Sequence, residues 1–81
     1  MDLREQAVKK IIERACVLFN KKPEELNEAT SFIELGAKSG NVSQMTTFLE
    51  DEFDVEIAFM EFCRKKTVGE AADYVVELLD N

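Results

Sequence analysis

Residues 39–53 read Ser39-Gly40-Asn41-Val42-Ser43-Gln44-Met45-Thr46-Thr47-Phe48-Leu49-Glu50-Asp51-Glu52-Phe53. Val42, Met45, Phe48 or Leu49, and Phe53 recur at three- and four-residue intervals, the apolar stripe of an amphipathic helix. Ser39 stands at the head of this helix, directly after a turn containing Gly36, and is available as its cap. Helix starts leave backbone N–H groups without intrahelical partners and carry the positive end of the dipole, so an anion bound at Ser39 would be favoured. From residue type and spacing alone, a plain helix cap is still the weightier reading of this serine.

Upstream, Asn20 to Ala37 has no period and is interrupted by Pro23, Asn27, Thr30, Ser31 and Gly36. It reads as a long connection with one short turn at Pro23-Glu24-Glu25-Leu26, pinned to the core by Leu26, Phe32, Ile33 and Leu35. Before it, Leu3, Ala7, Val8, Ile11, Ile12, Ala15, Leu18 and Phe19 form a second helical stripe over residues 2–19. Asp2 and Glu5 form a capping-box pattern there, Lys21 and Lys22 complement the dipole at the far end, and Pro23 is the expected stop.

Downstream, Asp54-Val55-Glu56-Ile57 reads as a brief extended link and Phe59 to Lys65 as a short helix. Thr67-Val68-Gly69-Glu70 is a further capping box, opening a last helix that turns Ala71, Ala72, Val75, Val76, Leu78 and Leu79 inward. With no internal repeat and no clear strand pair, the expected fold is an all-α four-helix bundle, with a long first connection and a short third helix, in one domain over residues 1–81.

Composition narrows the function. A chain of 81 residues buries roughly 60% of its unfolded surface, which leaves little room for a deep pocket. It has no histidine, which removes the side chain most used for acid–base chemistry near neutral pH and argues against an enzyme. Seventeen acids against ten bases leave a net charge of −7, which argues against nucleic acid and anionic lipid and for a basic protein partner. The imbalance is local: residues 1–23 hold six bases and three acids, residues 24–61 one base and ten acids, and residues 62–81 three bases and four acids. Cys16 and Cys63 have neither CxxC spacing nor a histidine to complete a metal site, so they read as reduced thiols in a cytoplasmic protein. No apolar run approaches the length of a membrane span.

The segments Ser31-Phe32-Ile33-Glu34-Leu35-Gly36-Ala37-Lys38-Ser39, Glu50-Asp51-Glu52-Phe53-Asp54 with Glu56-Ile57, and Thr67-Val68-Gly69-Glu70-Ala71-Ala72-Asp73-Tyr74-Val75 together resemble the acyl carrier proteins. The resemblance extends from Val8-Lys9-Lys10-Ile11-Ile12 to Tyr74. It implies a monomeric, non-catalytic carrier in which Ser39 receives 4'-phosphopantetheine from coenzyme A on a phosphopantetheinyl transferase. The arm's thiol would then hold acyl groups as thioesters for enzymes with basic docking patches. By the same resemblance Glu50, Asp51, Glu52 and Asp54 are the expected partner-binding acids.

Several positions depart from the family pattern. Where the family usually reads Asp-Ser-Leu, this chain reads Lys38-Ser39-Gly40, and Asn41 and Gln44 replace common acids. A lysine at a helix start is unfavourable by dipole reasoning, and pairing of Lys38 with the arm's phosphate would offset this. Phe59, Met60, Phe62 and Cys63 replace a mostly acidic segment; four apolar residues in five positions cannot all face inward, so part of this helix is expected to form an apolar patch or to line an acyl site with Met45 and Leu49. These departures point to a specialised lipid, fatty-acid or polyketide pathway. The competing readings are an aminoacyl or peptidyl carrier and a carrier-like module that is never modified and simply docks a basic protein.

Overall fold

Asp2 starts the first helix, its Oδ1 accepting the Glu5 amide at 2.8 Å. In the computed structural model, which describes residues 2–80, this helix is α1 (Leu3–Phe19). It is followed by a 3-10 turn at Pro23–Glu25, α2 (Ser39–Phe53), α3 (Phe59–Cys63) and α4 (Val68–Leu79). The all-α four-helix bundle is therefore present, with its long first connection and a third helix of five residues. No described helix is long and apolar enough to cross a membrane.

The core follows the helical stripes. Ala7, Ile11 and Ala15 of α1 meet Met45 and Leu49 of α2, Phe62 of α3, and Val68, Ala71, Ala72 and Val75 of α4. Leu26 and Ile57 join them from the connections. Alanines at 7, 15, 71 and 72 let α1 and α4 approach closely, and this pair makes the most extensive helix contact. Leu49, not Phe48, is the fully buried member of the pair left open by spacing. Phe48 is only partly buried, beneath the Arg14 guanidinium at 5.3 Å.

Several local expectations are corrected. Helix α1 ends at Phe19 as expected, but Asn20 and not Pro23 stops it: Asn20 takes the left-handed conformation (φ 55°) and the Lys21 amide returns to the Cys16 carbonyl at 3.1 Å. Pro23 instead opens the 3-10 turn, where its fixed φ and missing N–H cost nothing. Of the four expected pins, Ile33 is not one, being 81% exposed, while Leu26, Phe32 and Leu35 anchor the connection. Leu3 is likewise exposed rather than part of the buried stripe. Helix α3 stops at Cys63, two residues short of the expected Lys65, as the Arg64 and Lys65 amides close tighter three-residue turns.

The expected absence of strand pairing is also qualified. Ser31 and Thr67 form an isolated antiparallel bridge, flanked by Phe32 N–H to the Lys66 carbonyl (3.0 Å) and Val68 N–H to the Thr30 carbonyl (3.1 Å). The Gly69 amide also donates to the Glu28 carbonyl at 2.9 Å, and a Cβ on Gly69 would lie 3.2 Å from that oxygen. The long connection is thus fastened to the start of α4. Arg4 adds a clamp, bonding Glu28 at 2.7 Å and Asp73 at 2.7 Å, and these carboxylates raise its already high pKa further. Thr67 caps α4 by accepting the Glu70 amide (3.2 Å), but Glu70 Oε1 takes the Lys66 amide, so the reciprocal half of the box closes one residue early.

Candidate functional site

Gly36 sets the approach to Ser39. Its φ of 79° lies in the left-handed region that glycine adopts without a Cβ penalty. The turn is closed by Gly36 N–H to the Ile33 carbonyl (2.9 Å) and Ala37 N–H to the Phe32 carbonyl (3.0 Å). Lys38 then takes the N-cap position, so Ser39 is the first helical residue and not the cap that spacing suggested. The Lys38 amide donates to Asn41 Oδ1 at 3.0 Å. Lysine has no acceptor with which to return a bond, so Asn41 alone supplies the side-chain half of this cap.

Ser39 and Gly40 are exposed, and a Cβ on Gly40 would meet nothing within 4 Å. Ser39 is thus open to solvent, and no neighbouring element crowds Gly40. The first-turn amides of α2 have no intrahelical acceptors, and a phosphate there gains about 0.3–1 kcal/mol from the dipole when exposed. With the Lys38 ammonium adjoining, the residues at this helix start fit a phosphodiester.

A groove of about 230 Å³ opens beside the serine, lined by Ser39, Lys38 and Asn41, by the apolar Phe32, Val42, Met45 and Phe62, and at its edges by Phe19, Ile33, Ala37, Cys63, Lys65 and Lys66. The rings of Phe32 and Phe62 pack with centroids 6.1 Å apart. Of the expected acyl-site residues, Met45 and Phe62 reach this groove. Leu49 lies in the closed core, while Phe59 and Met60 lie on α3 outside the groove lining, 37% and 69% exposed. The division of α3 follows from its length: one short helix turns a single large side chain, Phe62, fully inward.

The four acids of the expected docking face separate by role. Glu50 is half-buried and its Oε2 accepts the Ile57 amide at 2.8 Å, tying the link after α2 to the helix. Glu52 faces α1 and lies 3.6 Å from Lys10 Nζ. Asp51 is exposed, and Asp54 terminates α2 in the left-handed conformation (φ 53°) with its side chain in solvent. Lys65 and Lys66 were not singled out as site residues from the sequence. The adjacent pair of cations was visible there, but its placement beside Ser39 depends on the bridge between the long connection and the start of α4.

Both cysteines are free thiols. Cys63 is exposed at the groove edge, whereas Cys16 is half-buried on α1 and burial, reinforced by Glu24, Glu25 and Glu13, pushes its thiol pKa up. Iodoacetamide at neutral pH is expected to modify Cys63 first and Cys16 many-fold more slowly, the difference vanishing in denaturant. Equal rates in the folded protein, read by peptide mass, would contradict this placement.

Comparison with known proteins matches these features. Residues 9–75 match the family described as the phosphopantetheine attachment site. The fold is similar to that of an acyl carrier protein from Thermotoga maritima, with 31% sequence identity and a TM-score of 0.77, over 95% of this chain and 91% of that one. The bundle and the matched sequence agree along nearly the whole length: this chain belongs to the acyl carrier protein family, and its prosthetic group is 4'-phosphopantetheine.

Proposed function

We propose that Ser39 is the attachment point and that the protein carries acyl intermediates between enzymes of a specialised lipid, fatty-acid or polyketide pathway, as a cytoplasmic monomer. The observation that carries this reading is an exposed serine hydroxyl at the first residue of α2, beside an apolar groove. When attached, the group supplies a flexible arm whose thiol holds the cargo as a thioester. The chain's own part is positional. Gly36 aims the backbone into α2, no neighbouring element crowds Gly40, and Lys38 with the first-turn amides accommodates negative charge. Asp51 and Asp54 present carboxylates to solvent for a basic partner, while Glu50 is engaged by the Ile57 amide and Glu52 by Lys10 at the surface.

Co-expression with phosphopantetheinyl transferases and intact mass measurement tests the assignment. The expected result is a gain of one phosphopantetheinyl group in the parent chain and none in Ser39→Ala. A bare parent chain with every transferase would favour an unmodified docking module. Retained modification in Ser39→Ala would transfer the role to another hydroxyl, of which Ser43, exposed one turn further along α2, is the nearest on that helix.

A further inference from the structure

The groove beside Ser39 is lined by three of the chain's ten bases, Lys38, Lys65 and Lys66, and by none of its seventeen acids. In a chain of net charge −7 this is a local reversal of sign. Elsewhere Arg4, Lys10, Lys21 and Arg64 are each drawn to a carboxylate of the chain itself. Among the described residues no such ion pair engages the three groove lysines, and Lys65 Nζ instead rests 5.1 Å from the centre of the Tyr74 ring. The backbone beneath them is fixed. The Lys66 carbonyl accepts the Phe32 amide and its own amide donates to Glu70, so the backbone of the Lys65-Lys66 pair is held beside Phe32.

Two chemistries therefore meet in one small space: the apolar side chains of Phe32, Val42, Met45 and Phe62, and three lysines that no ion pair engages among the described residues. The volume of about 230 Å³ lies below the ~300–1,000 Å³ usual for small-molecule sites, which suits a short chain. We infer that the groove selects short acyl cargo ending in a carboxylate, with the methylenes on the apolar side chains and the carboxylate at Lys65 and Lys66. Lys38 also lines the groove, but adjoins Ser39 in the chain and is assigned to the phosphodiester of the arm. The inference rests on attachment at Ser39 and adds the class of cargo to it.

The test uses the full-length modified protein loaded through its thiol with two five-carbon chains, pentanoyl and glutaryl, which differ in their terminal group. Hydrolysis of each thioester is followed by intact mass, and each rate is divided by that of the same thioester on free pantetheine. Glutaryl is expected to be protected about 2- to 5-fold more than pentanoyl, the ratio that ion pairs at a partly exposed site support. The preference should vanish in the Lys65→Gln/Lys66→Gln double variant, persist in Lys38→Gln, and shrink as salt is raised. Equal protection, better protection of pentanoyl, or a preference indifferent to salt would overturn the inference. A preference retained in a double variant whose unloaded form melts normally would also overturn it, by removing the two lysines from the selection. Failure of the attachment reading is distinguishable, because intact mass would then show no group on Ser39 to load.

Discussion

Leu49→Ala is expected to destabilise the fold by about 2–5 kcal/mol, the largest effect of any single truncation considered for this protein. Leu49 is fully buried where α2 packs on the rest of the core, and its removal leaves a cavity in addition to the lost transfer energy. For a chain of 81 residues, total stability is of order 4–12 kcal/mol, so the variant forfeits a large share of it. Urea unfolding followed by helical circular dichroism should show a lower midpoint with an unchanged slope. A loss below about 1 kcal/mol would contradict the packing, because burial of the leucine alone is worth more. Leu49 does not line the groove, so below its melting temperature the variant should still accept the prosthetic group.

Gly36→Ala is expected to cost about 1–2 kcal/mol, whereas Gly40→Ala should stabilise by up to ~1 kcal/mol. The two glycines are four residues apart and flank the candidate serine, yet the backbone treats them oppositely. Gly36 holds φ at 79°, where a Cβ is strained even though open space surrounds it. Gly40 is inside α2 with helical geometry and nothing near a new Cβ, so alanine there only reduces the freedom of the unfolded chain. For a domain of this size each kcal/mol moves the melting temperature by roughly 4–8 °C, so the two variants should separate clearly in one thermal scan. Shifts of the same sign would show that the turn at Gly36 or the helix start at Gly40 is not as described. Gly40→Ala also checks access to Ser39, since it adds a methyl to the residue next to it in the chain.

Much of the bundle was legible because helices are written locally. The three- and four-residue spacing of Ala7, Ile11 and Ala15, and of Val68, Ala71, Ala72 and Val75, reports the buried faces of α1 and α4 directly. Asp2 and Thr67 marked their helix starts because a cap is a bond between residues three apart. Ends were less legible. Asn20 stops α1 by entering the left-handed region, a choice that competes with the proline three residues later and is decided by the chain's exit direction. Ile33 has the composition of a pin and is exposed, because the bridge from Ser31 to Thr67 turns Phe32 inward and its neighbour out.

The sequence by itself determined the number and amphipathic faces of the helices, the glycine turn before Ser39, and the family pattern around it, since these depend on bonds and spacings within a few residues. Only the tertiary structure decided that Glu50 and Glu52 are engaged by groups of the chain itself, that Leu49 is closed in the core while Met45 and Phe62 line a groove, and that Lys65 and Lys66 stand beside a serine 26 and 27 positions earlier. The last of these relations depends on the short bridge between the long connection and the start of α4, a contact between residues far apart in the chain, whose pairing no local periodicity encodes.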